Sequence, residues 1–212
     1  MKAKVMSLAR LVLIMLLVFS LSVAAYASNL GTLSCWYATY TKTETSCIGR
    51  WAANTLTVRT IKLNSDTSFR FLPGVNHAAS EWKDVLGITI NTSSTASTGN
   101  IEYYGGTRSE ITAYTGYTLP TDSAGQTRYY YKGEEGTWTY GSSSKTGYLF
   151  SFIYCYMVDA SDDYEYNVAT HELGHALGWM GHTPNSSAVM YHTESSVITL
   201  TNIDKNHLSQ VY

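Results

Sequence analysis

The sequence is poor in charge, in proline and in cysteine. Of 212 residues 14% are charged and three are proline, while 44% are hydrophobic. That balance excludes a disordered polyelectrolyte and a fibrous repeat, and it fits a folded globular chain. No run of lysines and arginines occurs, and 14 basic residues face 16 acidic ones for a net charge of −2. Such a surface cannot neutralise a series of phosphates, so nucleic acid is excluded as a partner. Internal repeats with a period of roughly 20 to 50 residues are also missing, which rules out solenoids and propellers.

Long apolar runs are missing everywhere but at the start. Leu11 to Ala25 is unbroken apolar or small, follows Lys2, Lys4 and Arg10, and leads into Ala25-Tyr26-Ala27 before Ser28. The run is shorter than the roughly 20 residues a membrane-spanning helix needs. It predicts a signal peptide over residues 1–27, export to the extracellular space, and no membrane association once the peptide is cleaved.

Cysteine is limited to Cys35, Cys47 and Cys155. Export permits disulfides, and the odd count leaves one thiol over. A Cys35–Cys47 bridge would close a short loop, contribute about 3 kcal/mol by the chain-entropy argument, and leave Cys155 as a buried strand thiol. The competing expectation is that Cys35 or Cys47 ligates a metal in a latent form.

What is abundant is tyrosine, with 18, together with serine, threonine and 16 glycines. This suits an extracellular β-rich protein, and Tyr103, Tyr104 and Tyr129 to Tyr131 read as strand packing. Leu56 to Leu63 is β-branched and partly alternating, which predicts a strand. A helix is expected over Asn76 to Leu86, with Asn76 as N-cap, Ala78, Trp82, Val85 and Leu86 on one face, and Gly87 as the stop. Further short strands are expected at Ile88 to Asn91, Asn100 to Tyr104, Ile111 to Tyr117 and Thr127 to Lys132. Tyr148 to Val158 alternates with both faces apolar, the mark of a covered strand. A helix is expected from about Tyr164 to Leu177, ended by Gly178, and a last one within Leu200 to Tyr212 carrying Ile203, His207 and Leu208 on one side. His77 and His207 read as surface or interface residues. Strands first and helices later give an α+β, or mixed α/β, class.

Within the helix ending at Gly178, His171, Glu172 and His175 form H-E-x-x-H. The i, i+4 spacing stacks both imidazoles on one face, where they reach one metal. Zinc suits imidazole nitrogen, and a catalytic zinc keeps three protein ligands and one water. Glu172 can reach that water, whose pKa the metal lowers toward about 7. His182 follows closely, and Met190 sits in Ala188-Val189-Met190-Tyr191, in the position of a hydrophobic turn beneath the site.

HELGHALGWMGH at 171–182 followed by AVMY at 188–191 resembles the metzincin zinc metalloendopeptidases, and most of all the matrixin branch. The likeness runs from about residue 50 to 212. Arg50-Trp51 and Asn54 to Arg59 are similar to the first strand of a matrixin catalytic domain, Ala78 to Ile90 to its first helix, and Leu200 to Tyr212 to its closing helix. The resemblance implies a twisted, mostly parallel sheet with the active-site helix behind it, and a substrate cleft along an edge strand. Beyond the signal peptide (1–27) read above and a short N-terminal segment (28–49) that precedes the likeness, it implies one catalytic domain (50–212) acting on protein or peptide substrates. By the same resemblance His171, His175 and His182 hold a catalytic Zn2+, Glu172 is the general base, Met190 forms the Met-turn, and the residues after Tyr191 wall a side-chain pocket. The chain is in this reading a secreted hydrolase, a metalloprotease.

The sequence departs from the pattern in three ways. Gly181 stands where the third histidine belongs, and His182 comes one residue later. The expectation is that Trp179, Met180 and Gly181 bulge outward to take up the extra residue. The histidine- and glycine-rich segment that binds structural zinc and calcium is absent from 91–158, so one zinc is expected. Asp159, Asp162, Asp163 and Glu165 read as a turn and helix N-terminus in preference to a Ca2+ site. No matrixin-type cysteine propeptide motif is visible. Two alternatives remain: a non-catalytic binding module on the same fold, and a different zinc hydrolase completed by Glu194 or His192. His192 otherwise reads as a contact for ligand or substrate. Oligomeric state is unspecified.

Overall fold

The computed structural model describes residues 49–140, 143–160, 164–179, 181–209 and 212. The expected signal peptide, Cys35, Cys47, Asp162, Asp163 and Met180 lie outside them. Among the described residues six strands, β1 (Gly49–Arg50), β2 (Thr55–Lys62), β3 (Thr89–Ser93), β4 (Ile101–Gly106), β5 (Gly125–Tyr140) and β6 (Ser143–Val158), join four helices: α1 (Phe71–Leu86), α2 (Arg108–Thr115), α3 (Glu165–Ala176) and α4 (Asn202–Leu208). The strands form one sheet in the order β3-β2-β4-β6-β5. β1 pairs with β6 at Tyr148–Leu149, upstream of the Ile153–Val158 stretch taken by β4. All pairs are parallel except β5 on β6, so the fold is a mixed α/β sheet with one antiparallel edge.

Alternation sorts the sheet into two faces. Leu56, Val58, Ile101, Tyr103, Ile153, Cys155 and Met157 point to one face and are fully buried against Val75, Ala78 and Trp82 of α1 and Ala169, Leu173 and Ala176 of α3. Gly74 permits the two helices to meet closely, since a Cβ there would stand 3.3 Å from the Glu165 carbonyl oxygen and 3.4 Å from Ala169 Cβ. Trp82 Nε1 donates to the Thr170 carbonyl at 2.8 Å, and Trp51 Nε1 to that of Ala176 at 2.8 Å. These bonds satisfy the indoles' one polar group inside the core and fix α3 against α1 and the sheet. On the opposite face Tyr104 and Tyr156 stack at 5.7 Å, with Ile111 and Leu119 closing a smaller core. Tyr103 and Tyr104 are thus packing residues, as expected.

The structure corrects four expectations. The first helix begins at Phe71, with Arg70 and not Asn76 as its N-cap; Asn76 lies inside it and accepts from the Thr92 hydroxyl. Pro73 falls in the first turn, where a missing N–H costs nothing. Ile111 to Tyr117 is not a strand, because Thr107 and Glu110 form a capping box that starts α2 and Gly116 ends it at φ 72°. That cap outweighs the β-branched composition of the segment. Of surface or interface, the expectation for His207, the structure excludes the surface: it is 2% exposed and its ring packs tilted against that of Trp179 at 4.0 Å. Trp179 itself is fully buried, so the outward bulge expected of it is not found at that residue.

Candidate active site

Helix α3 carries His171, Glu172 and His175 on consecutive turns and then stops abruptly. The Trp179 N–H bonds the Gly174 carbonyl at 3.0 Å and the Gly178 N–H bonds that of His175 at 3.0 Å, a Schellman closure with Gly178 at φ 120°. A side chain with a Cβ is strained at that angle. Gly181, at φ 82°, supplies a second left-handed residue, and the chain returns with His182 over the helix. The three histidines thereby converge. His171 Nε2 lies 3.0 Å from His175 Nε2 and 3.2 Å from His182 Nε2.

Two rings are locked from behind. His171 Nδ1 donates to the Val189 carbonyl at 2.9 Å, and His175 Nδ1 to that of Trp179 at 2.6 Å. A proton on Nδ1 leaves Nε2 as a bare lone pair, the form a metal ligand requires. Burial holds His171 at about 4, with His182 adding like-charge repulsion, and holds His175 well below its ordinary value with help from both neighbours. His182 is lowered too, by burial first and His192 second. Neutral imidazoles aimed at one point with their lone pairs repel each other, and a cation at that point relieves the repulsion. The donor set fits zinc by number, type and tautomer. Among the described residues, His171, His175 and His182 form the one group able to hold a metal ion, with ligand atoms within 4.8 Å of one another.

The other candidates stand apart. His192 is exposed with its ring 6.5 Å from that of His182 and 4.3 Å from that of Tyr191, and Glu194 is exposed on the cleft wall. Asp159 accepts from Asn64 Nδ2 at 2.7 Å, while buried Glu165 accepts from the Arg70 amide at 3.4 Å. The latter bond ties the start of α3 to that of α1.

Met190 lies beneath α3, fully buried. A Cβ on Gly174 would come within 2.6 Å of its sulfur and 2.7 Å of Trp82 Cζ2, so the turn seats on bare helix backbone. The turn is fixed by Asp204, whose carboxylate accepts from the amides of Val189 and Met190, each at 3.1 Å, while also taking the Thr201 amide at 2.9 Å and hydroxyl at 2.7 Å. One buried carboxylate thus caps α4 and holds the strip of backbone that orients His171. The Thr201-x-x-Asp204 spacing is a capping-box signal readable in the sequence; its second task is not.

Above the helix opens a cleft of about 440 Å³. His171, Glu172 and His175 floor it, Gly125, Thr127 and Tyr129 of β5 form one wall, and Tyr191, His192 and Glu194 the other. Glu172 is 5% exposed, and burial pushes its carboxyl up to about 8 against the opposing hydrogen bond from Thr127. A Cβ on Gly125 would stand 2.7 Å from both Cγ and Oε1 of Glu172, so only glycine leaves room for the carboxylate there. Neither Thr127 nor Gly125 belongs to any sequence motif. Cys155, read as a buried strand thiol, is free, buried and directly beside Thr127.

Searching curated proteins returns no match to the sequence. A family model described as Matrixin, Peptidase M10, matches residues 50–212. That span contains the sheet, the active-site helix, the histidine cluster and the closing helix, and the chain belongs to the matrixin family of zinc-dependent metallopeptidases.

Proposed function

We propose that the protein is a secreted endopeptidase that holds one Zn2+ on the Nε2 atoms of His171, His175 and His182 and uses Glu172 as its general base. The observation that carries this reading is the convergence of three metal-ready Nε2 atoms beside a buried carboxylate in an open cleft. Zinc, when bound, supplies a Lewis acid that polarises the scissile carbonyl and acidifies a water. Glu172 takes the proton of the attacking water and passes it to the departing amine. Its burial raises its proton affinity toward the range in which proton transfer at neutral pH is efficient. Among the described residues β5 pairs with β6 alone, which leaves it an edge along one wall of the cleft where an extended peptide can lie. Residues 1–27 act as the export signal, 28–49 as a short leading segment with a Cys35–Cys47 bridge, and 50–212 as the catalytic domain.

An intact Glu172 at an open cleft argues against a binding module, which has no use for a base. The test is digestion of a mixed peptide library followed by mass spectrometry. Internal cleavage is expected to stop with a chelator and return with zinc. Glu172→Ala is expected to keep about one zinc per chain and lose activity by several orders of magnitude. A Glu172→Ala protein with near-normal turnover refutes the mechanism.

A further inference from the structure

We propose that Thr127 is the positioning residue of Glu172, its hydroxyl donating to Oε2 so that Oε1 is the oxygen presented for proton transfer. The inference rests on the reading of Glu172 as general base. Thr127 and Cys155 are direct cross-strand partners on β5 and β6, with side chains on the face toward α3. The Thr127 oxygen lies 2.6 Å from Glu172 Oε2, 2.9 Å from the Glu172 carbonyl oxygen and 3.5 Å from Cys155 Sγ. A hydroxyl has a single proton to give, and a carboxylate at the shortest distance takes it in preference to a helix carbonyl or a sulfur.

The thiol stays protonated beside this pair, since burial raises Cys155 well above its ordinary value. Its S–H donates to the Glu172 carbonyl at 3.7 Å, and its sulfur lies 3.5 Å from the Thr127 oxygen. The bond that orients the base is therefore Thr127 O–H to Glu172 Oε2. Glu172 Oε1 accepts no hydrogen bond among the described residues and lies over the bare backbone of Gly125. A glutamate side chain in an open cleft samples several rotamers. Here one oxygen is tied to the edge strand and the other is left over the cleft, which is preorganisation of the reacting atom. The tie also joins the base to β5, the strand that walls the cleft.

The test uses the full secreted chain loaded with zinc. Thr127→Val and Thr127→Ala are expected to lower kcat about 10- to 100-fold while KM stays within about twofold, because the lost contact is to the base and not to substrate. Thr127→Ser, which restores the hydroxyl, is expected to recover kcat to within about threefold. Zinc content remains one per chain in all three. An independent readout is difference infrared spectroscopy of chelator-treated protein: the carboxylate stretch that vanishes in Glu172→Gln should shift in Thr127→Val and return in Thr127→Ser. A residue that merely secures β5 would raise KM or lower thermal stability and leave that band in place. Wild-type kcat in Thr127→Val, or equal damage in the serine variant, overturns the inference. If Thr127→Val does not accumulate, the alanine and serine pair decides alone. An active Glu172→Ala sinks the general-base reading, whereas an inactive Glu172→Ala beside a fully active Thr127→Val sinks only the role of Thr127.

Discussion

Replacing Asp204 with alanine is expected to loosen the histidine cluster from behind. The wild-type carboxylate accepts four hydrogen bonds at 2.7 to 3.1 Å from inside the protein, two from Thr201 and one each from the Val189 and Met190 amides. Truncation leaves those two buried amides unpaired, at about 1–3 kcal/mol each, and removes a capping box worth about 1 kcal/mol. A loss of about 3–7 kcal/mol follows, which in a domain of this size lowers the melting temperature by about 6–28 °C. Val189 also supplies the carbonyl that accepts from His171 Nδ1. Freed from Asp204, that carbonyl no longer fixes the ring, and zinc affinity should fall about 10- to 100-fold, the usual cost of losing an outer hydrogen bond to a metal ligand. Asp204→Asn, which keeps Oδ1 for Met190, should fall between alanine and wild type. Thermal unfolding followed by circular dichroism and zinc competition with a chromophoric chelator measure the two effects. An alanine variant within about 1 kcal/mol of wild type refutes the clamp, and a destabilised variant with unchanged zinc affinity refutes its transmission to His171.

Gly125→Ala is expected to displace the Glu172 carboxylate, because the new Cβ would lie 2.7 Å from Cγ and Oε1; activity should drop at least about tenfold with zinc retained, and full activity would contradict the packing. Gly174→Ala pushes on Met190 and Trp82, and should cost about 1–3 kcal/mol in urea unfolding. In zinc-free protein His171, held at about 4 by burial below its ordinary 6.5, contributes stability present above 6.5 and lost as pH falls through 4. Glu172 acts oppositely: raised by burial from 4.5 to about 8, its contribution is present below 4.5 and lost as pH rises through 8. Urea titrations across pH 4 to 9 should show the alkaline loss in wild type and not in Glu172→Gln.

How much of this was legible in the sequence depended on the range of the interactions. The active-site helix and its glycine stop were readable because H-E-x-x-H and Gly178 act within two turns of each other. The start of α1 was misplaced, although its apolar stripe extends upstream through Phe71, Val75 and Ala78 at helical spacing; Asn76 was a plausible cap that the longer stripe overrides. Thr127 and Gly125 stand about 45 residues from Glu172 and reach it only through sheet pairing, so no local pattern marks them.

The segment between Gly178 and His182 shows the same limit in miniature. The extra residue was expected to make Trp179, Met180 and Gly181 loop outward. What turns the Trp179 ring inward is remote, burial against His207 on α4, while its carbonyl receives His175 Nδ1 from four residues upstream. Trp179 is thus anchored on α4, and Gly181 at φ 82° turns the chain toward His182. The closing helix therefore supports the histidine cluster twice, through Asp204 to Val189 and His171, and through His207 to Trp179 and His175. His182, displaced by one residue, still meets His171 and His175 because the two histidines on α3 are each oriented by backbone that α4 holds in place.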